Sequence, residues 1–255
     1  MTAIATPRVP PGHYRFPQAA RMEWIKLRSL RSTWWTLAVT AAAATGIGIA
    51  VGLNTRNASG DLTNNALAGI APGLLLAGVL GVLAMTSEYT FGMIRATLAT
   101  IPDRRLLLAA KATVFGALTL ATGEATAFIA FFAGGASLRH GISAPTLGQH
   151  GVLQAVVLSG AGFGLIGLIG LGLGAIIRHT PAAIAVLVGG VYVVAQFIGG
   201  ITGTLMAYVP ISIVANSMAT TRNPMLSPWV GLGLLCLYAA VLLGIGGWLL
   251  TRRDA

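Results

Sequence analysis

Charge is scarce in this chain. Asp, Glu, Lys and Arg make up 9% of its 255 residues, while 55% are hydrophobic; soluble domains carry roughly 25% charged residues. A water-facing surface cannot be built from so few charges, so most of the surface must meet lipid. Cysteine is scarcer still. Cys236 stands alone, which excludes an intrachain disulfide, leaves the redox compartment unread and makes this thiol a packing group. No Gly-x-x-x-x-Gly-Lys-[Ser/Thr] run occurs, so the chain has no Walker phosphate loop. No Gly-x-Ser-x-Gly elbow occurs either. His13, His140, His150 and His179 lack metal-ligand spacing. These absences leave no catalytic group and no metal site to name, and the expectation is a protein that is not an enzyme. The formal net charge of +10 would suggest a nucleic-acid partner in a soluble protein. Here the basic residues fall between apolar runs instead of forming one patch, so no nucleic acid is expected.

What is present is long apolar runs. A helix needs about 20 apolar residues to cross the hydrocarbon core. The runs predict an all-α integral membrane protein with six transmembrane helices, at 34–54, 67–86, 106–134, 151–177, 182–206 and 229–250. They are continuous and do not alternate, which argues against a β-barrel. About 33 residues, several of them basic, precede the first run, too long a lead for a cleaved signal peptide. Lys and Arg then set the orientation. Thirteen of the sixteen fall in the N-terminal segment, the loop after span two, the turn after span four and the C-terminal tail. Arg56, Arg139 and Arg222 fall on the other side. Both termini are therefore expected in the cytoplasm. The domain plan is a disordered tail over 1–18, an interfacial helix over 19–33, a transmembrane domain over 34–250 and a tail over 251–255.

On a helical wheel Trp24, Leu27, Leu30 and Trp34 share one broad face, with Glu23 and Arg31 intruding on it. That face suits the headgroup region; a solvated basic tail is the alternative. The loop after span two keeps Phe91, Ile94 and Leu98 at helical spacing, which predicts a short cytoplasmic helix between spans two and three. Thr100-Ile101-Pro102-Asp103 then reads as a helix start, with Thr100 as cap and Asp103 near the positive helix end. In span four Gly160 with Gly164, and Gly170 with Gly174, fit small-xxx-small spacing. Such pairs pack helices within one bundle or across a dimer seam. The segment after span five, 207–228, contains Pro210, Pro224 and Pro228. Its apolar stretch is too short to span and predicts a re-entrant external hairpin. Glu124 is the one acid inside the spans, either a polar point on a substrate path or a hydrogen-bonded packing residue. Gln196 is a second candidate for the path.

The segment from Glu88 to Lys111 resembles the first cytoplasmic loop of ABC-2 type permeases, the membrane subunits of ATP-binding-cassette exporters. The residues that carry the resemblance are Glu88, Tyr89, Gly92, Arg95, Leu98, Pro102, Arg105 and Lys111, in that order. Met93 stands where the family commonly has Thr. The run Glu23-Trp24-Ile25-Lys26-Leu27-Arg28-Ser29 before span one, the six-span plan and the proline-containing hairpin are also similar. The resemblance implies two permease copies, homodimeric or related, and a separate ATPase subunit that binds ATP and Mg, with no cofactor held by this chain. It implies a bacterial plasma-membrane location and assigns residues 88–105 to ATPase coupling, with Glu88, Tyr89, Gly92, Arg95, Pro102, Arg104 and Arg105 as contact or shaping residues. A loop whose charges serve only orientation is the alternative reading of that segment. A stand-alone secondary transporter or channel is the alternative function, and a polytopic enzyme is disfavoured by the lack of clustered polar residues in the spans.

Overall fold

The computed structural model describes residues 15–56, 60–90, 92–139, 141–194, 197, 203–220 and 226–252. Among these residues there is no strand. Five helices are long and apolar enough to cross a membrane: α2 (Arg31–Asn54), α4 (Ile70–Thr90), α6 (Arg104–Ala136), α7 (Val152–Ile177) and α11 (Pro228–Arg252). Shorter helices join them: α1 (Phe16–Ser29), α3 (Leu62–Ala66), α5 (Met93–Thr100), α8 (Thr180–Val186), α9 (Gly203–Met206) and α10 (Pro210–Ser217).

Helix α7 is the centre. Of its most apolar stretch 72% is buried, against 22% in α2 and in α11. It packs on α4, α6 and α11 together, and small residues make that possible. At the α4–α7 crossing a side chain on Gly170 would strike the Gly78 carbonyl, and one on Gly81 would strike the Gly167 carbonyl. The backbones touch there, an approach only glycine allows. Gly174 faces Met85 and Val82 of α4, Gly164 faces Leu120 of α6, and Gly160 faces Glu124 of α6. All four glycines singled out by spacing therefore lie at contacts within one chain. The apolar core follows the same centre, with Leu74, Phe131, Phe163 and Ile166 among its buried members.

The two ends of the bundle are marked by contacts. At one end the start of α6 and the end of α11 meet, where Arg104 Nη1 donates to the Leu250 carbonyl at 2.7 Å. The end of α7 joins them, with Arg178 Nη2 donating to the Leu249 carbonyl at 3.2 Å. Two cations thus sit on the last carbonyls of α11, where a helix carries partial negative charge. At the other end Arg139 Nε donates to the Leu53 carbonyl at 3.0 Å. There Asp61, which caps α3 through the Asn64 N–H, also accepts from the backbone and hydroxyl of Thr220. Arg28, Arg31, Arg104, Arg105, Arg178 and Arg252 all lie at the first end.

The region expected to hold one continuous span over 182–206 is irregular. Within the described residues its α-helical part ends at Val186, and Leu187–Val194 continues as π-helix. Gly189 and Gly190, poor helix formers, sit inside that stretch. Most of 195–202, including Gln196, lies outside the described residues. The segment starts at the basic end, where Thr180 Oγ1 donates to Thr86 Oγ1 at 2.8 Å. Leu187 reaches Gly78 at mid-height, and Val214 reaches Gly162 nearer the other end. Helix α10 buries Ile213 and Val214, so it sits beside the long helices and not beyond their ends.

Candidate functional site at the basic end of the bundle

Helix α1 buries Ala19, Glu23 and Leu27, a stripe at four-residue spacing with an acid in its middle. The face anticipated from the wheel, Trp24 to Trp34, assumed one unbroken helix. The chain instead breaks at Leu30, which takes extended backbone angles, and Trp24, Leu30 and Trp34 are exposed. Trp34 Nε1 donates to the Arg28 carbonyl across the break at 3.3 Å, so the indole satisfies one of the free carbonyls that end α1.

Burying Glu23, 1% exposed, would cost several kcal/mol without a partner. It has two. Lys111 Nζ of α6 lies 2.6 Å from Glu23 Oε2, and Lys26 Nζ, one turn on in α1, lies 3.1 Å from Glu23 Oε1. The same two lysines meet Glu88 of α4, with Lys111 at 2.7 Å and Lys26 at 3.0 Å from Oε1. Thr97 of α5 adds its hydroxyl 3.3 Å from Lys26 Nζ. Four helices thus converge on two positive and two negative groups that cancel in charge. These are the only two lysines in the chain and two of its three glutamates.

The loop after α4 is anchored to the same place. Gly92 has φ +65°, a left-handed angle that glycine adopts without strain, and it turns the chain from α4 into α5. Helix α5 then lays Ile94 against Ala19 of α1 and Leu107 of α6, with Ile101 in the same cluster. Phe91 lies outside the described residues. The cap of α6 is Asp103, not Thr100. The Asp103 carboxylate accepts from the Arg105 and Leu106 N–H groups, while Thr100 donates back to the Thr97 carbonyl. An Asp adjoining the first turn reaches free N–H groups that a Thr three residues earlier cannot.

The residues anticipated for coupling divide in two. Glu88 is 3% exposed and turned into the ion network. Arg104 is turned onto α11. Tyr89 is partly buried beneath the Arg178 guanidinium, 5.2 Å from its ring centre. These three hold helices of this chain together. Gly92, Pro102 and Arg105 are exposed, as are Met93, Ala96, Ala99 and Thr100 of α5. Arg95 belongs to α5; its side chain lies outside the described residues.

Glu124 stands apart from this site. It is half-buried on α6 beside Gly160 of α7, where an added methyl would come within 2.6 Å of the carboxyl carbon. It makes no ion pair or hydrogen bond among the described residues. Glu23 and Lys26 carried no weight as site residues in the sequence. The available signal was compositional, two lysines among sixteen basic residues and one acid in a basic lead. No His, Cys, Asp and Glu group suited to a metal occurs among the described residues. No family model matches the chain, and no curated protein matches it significantly in sequence.

Proposed function

We propose that the chain is the membrane-spanning permease subunit of an ATP-driven exporter of the ABC-2 type. It would form a substrate path with a second copy of itself or a related permease, and a separate ATPase would supply the energy. The observation that carries this reading is the placement of α5. A short helix lies at the end of the bundle where basic residues gather, its inner face packed on α1 and α6, its outer face open. An ATPase seated on that outer face pushes on α4 and α6 through a joint that has no slack. ATP binding then favours one arrangement of the long helices over another by its differential affinity for the two.

The topology that goes with this reading has six crossings and both termini in the cytoplasm of a bacterial plasma membrane. Helices α7 and α11 both end at the basic end, so the chain between them must return across the bundle. The contacts from Thr180 at Thr86 to Thr220 at Asp61 support the segment 180–209 as that return. Helix α10, beside Gly162, supports the re-entrant hairpin on the far side.

Co-purification tests the reading. A soluble ATPase expressed alongside should stay bound in mild detergent, and Arg105→Glu, which changes an exposed charge, should release it. Arg105 sits in the first turn of α6, and Arg95→Glu gives a second position on α5 itself. A complex unchanged by both variants argues against docking on α5. A second reading, a stand-alone transporter or channel, is favoured by Glu124, because an acid inside a bundle with no partner among the described residues is functional by default. Transport that persists without any ATPase and follows an ion gradient would select it.

A further inference from the structure

Beside the ion network a cavity of about 460 Å³ opens between α1, α2, α4 and α6. Sites for small molecules run from about 300 to 1,000 Å³. Its polarity is graded. One part is walled by Leu80, Leu83, Ala84 and Phe115, the other by Glu88 with the hydroxyls of Ser32, Thr33 and Ser87. Leu80 and Glu88 are separated by about 12 Å along α4 at helical rise. The gradient therefore follows the helix axis, the direction in which a lipid chain lies in a leaflet, with the polar part toward the end of the bundle. Leu83, on the apolar wall, is 40% exposed, so the apolar part is open at the side.

The polar part selects against charge. Lys26 spends its three N–H groups on Glu23, Glu88 and Thr97, and Lys111 is held between the two carboxylates. An anionic head finds no idle ammonium, and a cationic head would unbalance a cluster that is already neutral. What is unfilled is hydrogen-bonding capacity. Glu88, which lines the cavity, has its Oε2 buried and accepting from nothing among the described residues. The hydroxyls of Ser32, Thr33 and Ser87 make no hydrogen bond among the described residues. An apolar slot that ends in a spare acceptor and three idle hydroxyls complements an amphiphile whose head is neutral and rich in hydroxyls.

We propose that this cavity holds the head and upper chain of an uncharged, hydroxyl-bearing lipid, a glyceride or monoglycosyl lipid, from the leaflet at the basic end. The site stands whether or not an ATPase drives the chain. The test places the full chain in phosphatidylcholine nanodiscs with monoglucosyl diacylglycerol carrying a diazirine in its acyl chain. Irradiation should label peptides covering 27–36 and 80–87 above the other lipid-facing helices. Unlabelled monoglucosyl diacylglycerol should compete and phosphatidic acid should not. Ala84→Trp fills the apolar part and should abolish the preferential labelling. Ser32→Ala with Ser87→Ala keeps the space and should lower labelling about fivefold, the effect of one or two lost hydrogen bonds. If the tryptophan variant fails to fold, the double alanine variant decides. Labelling of α11 or of the far half of α2 equal to that of 27–36 and 80–87, equal competition by phosphatidic acid, or labelling untouched by the alanines overturns the proposal. No arm depends on an ATPase, so failure here and failure of α5 docking are read separately.

Discussion

Lys111 shows how one residue can hold three helices. Its side chain is 7% exposed, and its ammonium touches carboxylates from α1 and α4 at once. Lys111→Met keeps the stem and removes the charge, leaving two buried carboxylates to share Lys26 alone and one negative charge uncompensated. We expect a loss of about 3–5 kcal/mol, seen as a fall in the melting temperature in detergent. Glu23→Gln added to Lys111→Met should cost less than the two single changes summed, because they share one interaction; strict additivity would show that the pair is not coupled. Glu124 predicts the opposite. Because its carboxyl has no partner among the described residues, Glu124→Gln should leave the melting temperature unchanged or raise it. A clear fall would reveal a partner. Glu124 was legible in sequence because an acid within an apolar run is conspicuous. The ion network was not, because Glu23 and Lys111 lie 88 positions apart and neither pattern nor periodicity links such residues.

At the scale of elements, continuous hydropathy marks the five long helices well, and their ends fall within a few residues of the sequence reading. The exceptions have local causes. The α1–α2 break falls at Leu30 with neither Gly nor Pro to announce it. It is fixed by tertiary contacts on either side, Leu27 against Leu108 and Phe115 in one cluster and Thr33 buried on α2. The start of α6 was legible from its Pro-Asp signature, but a wheel cannot choose between Thr100 and Asp103 as cap. Asp103→Ala should cost about 1 kcal/mol as a lost cap, measured by thermal unfolding, whereas Thr100→Ala should cost little. Equal losses would place the cap elsewhere. The irregular stretch after α8 was hidden because hydropathy counts apolar residues without weighing Gly189 and Gly190 against helix.

Across the whole molecule the charge asymmetry becomes a prediction about sidedness. In a Cys236→Ala background, single cysteines at Arg15 and Arg105 should react with an impermeant maleimide from the same side of sealed vesicles, and one at Thr220 from the opposite side. Opposite labelling of Arg15 and Arg105 would dismantle the topology and the docking face with it. The all-helical, membrane-embedded class was legible in composition, because lipid acts on every residue of a span alike. The site is made by particular side chains meeting at the bundle's end, and that meeting is a property of the tertiary arrangement.

The cluster around Lys111 also has a mechanical consequence. A tug on α1 cannot be absorbed by letting one contact slip, because whichever of α1, α4 and α6 leaves abandons an ion in an oily place. Motion started at the surface must either die there or travel inward as a concerted shift of α1, α4 and α6, which makes the cluster behave as a clutch permanently engaged.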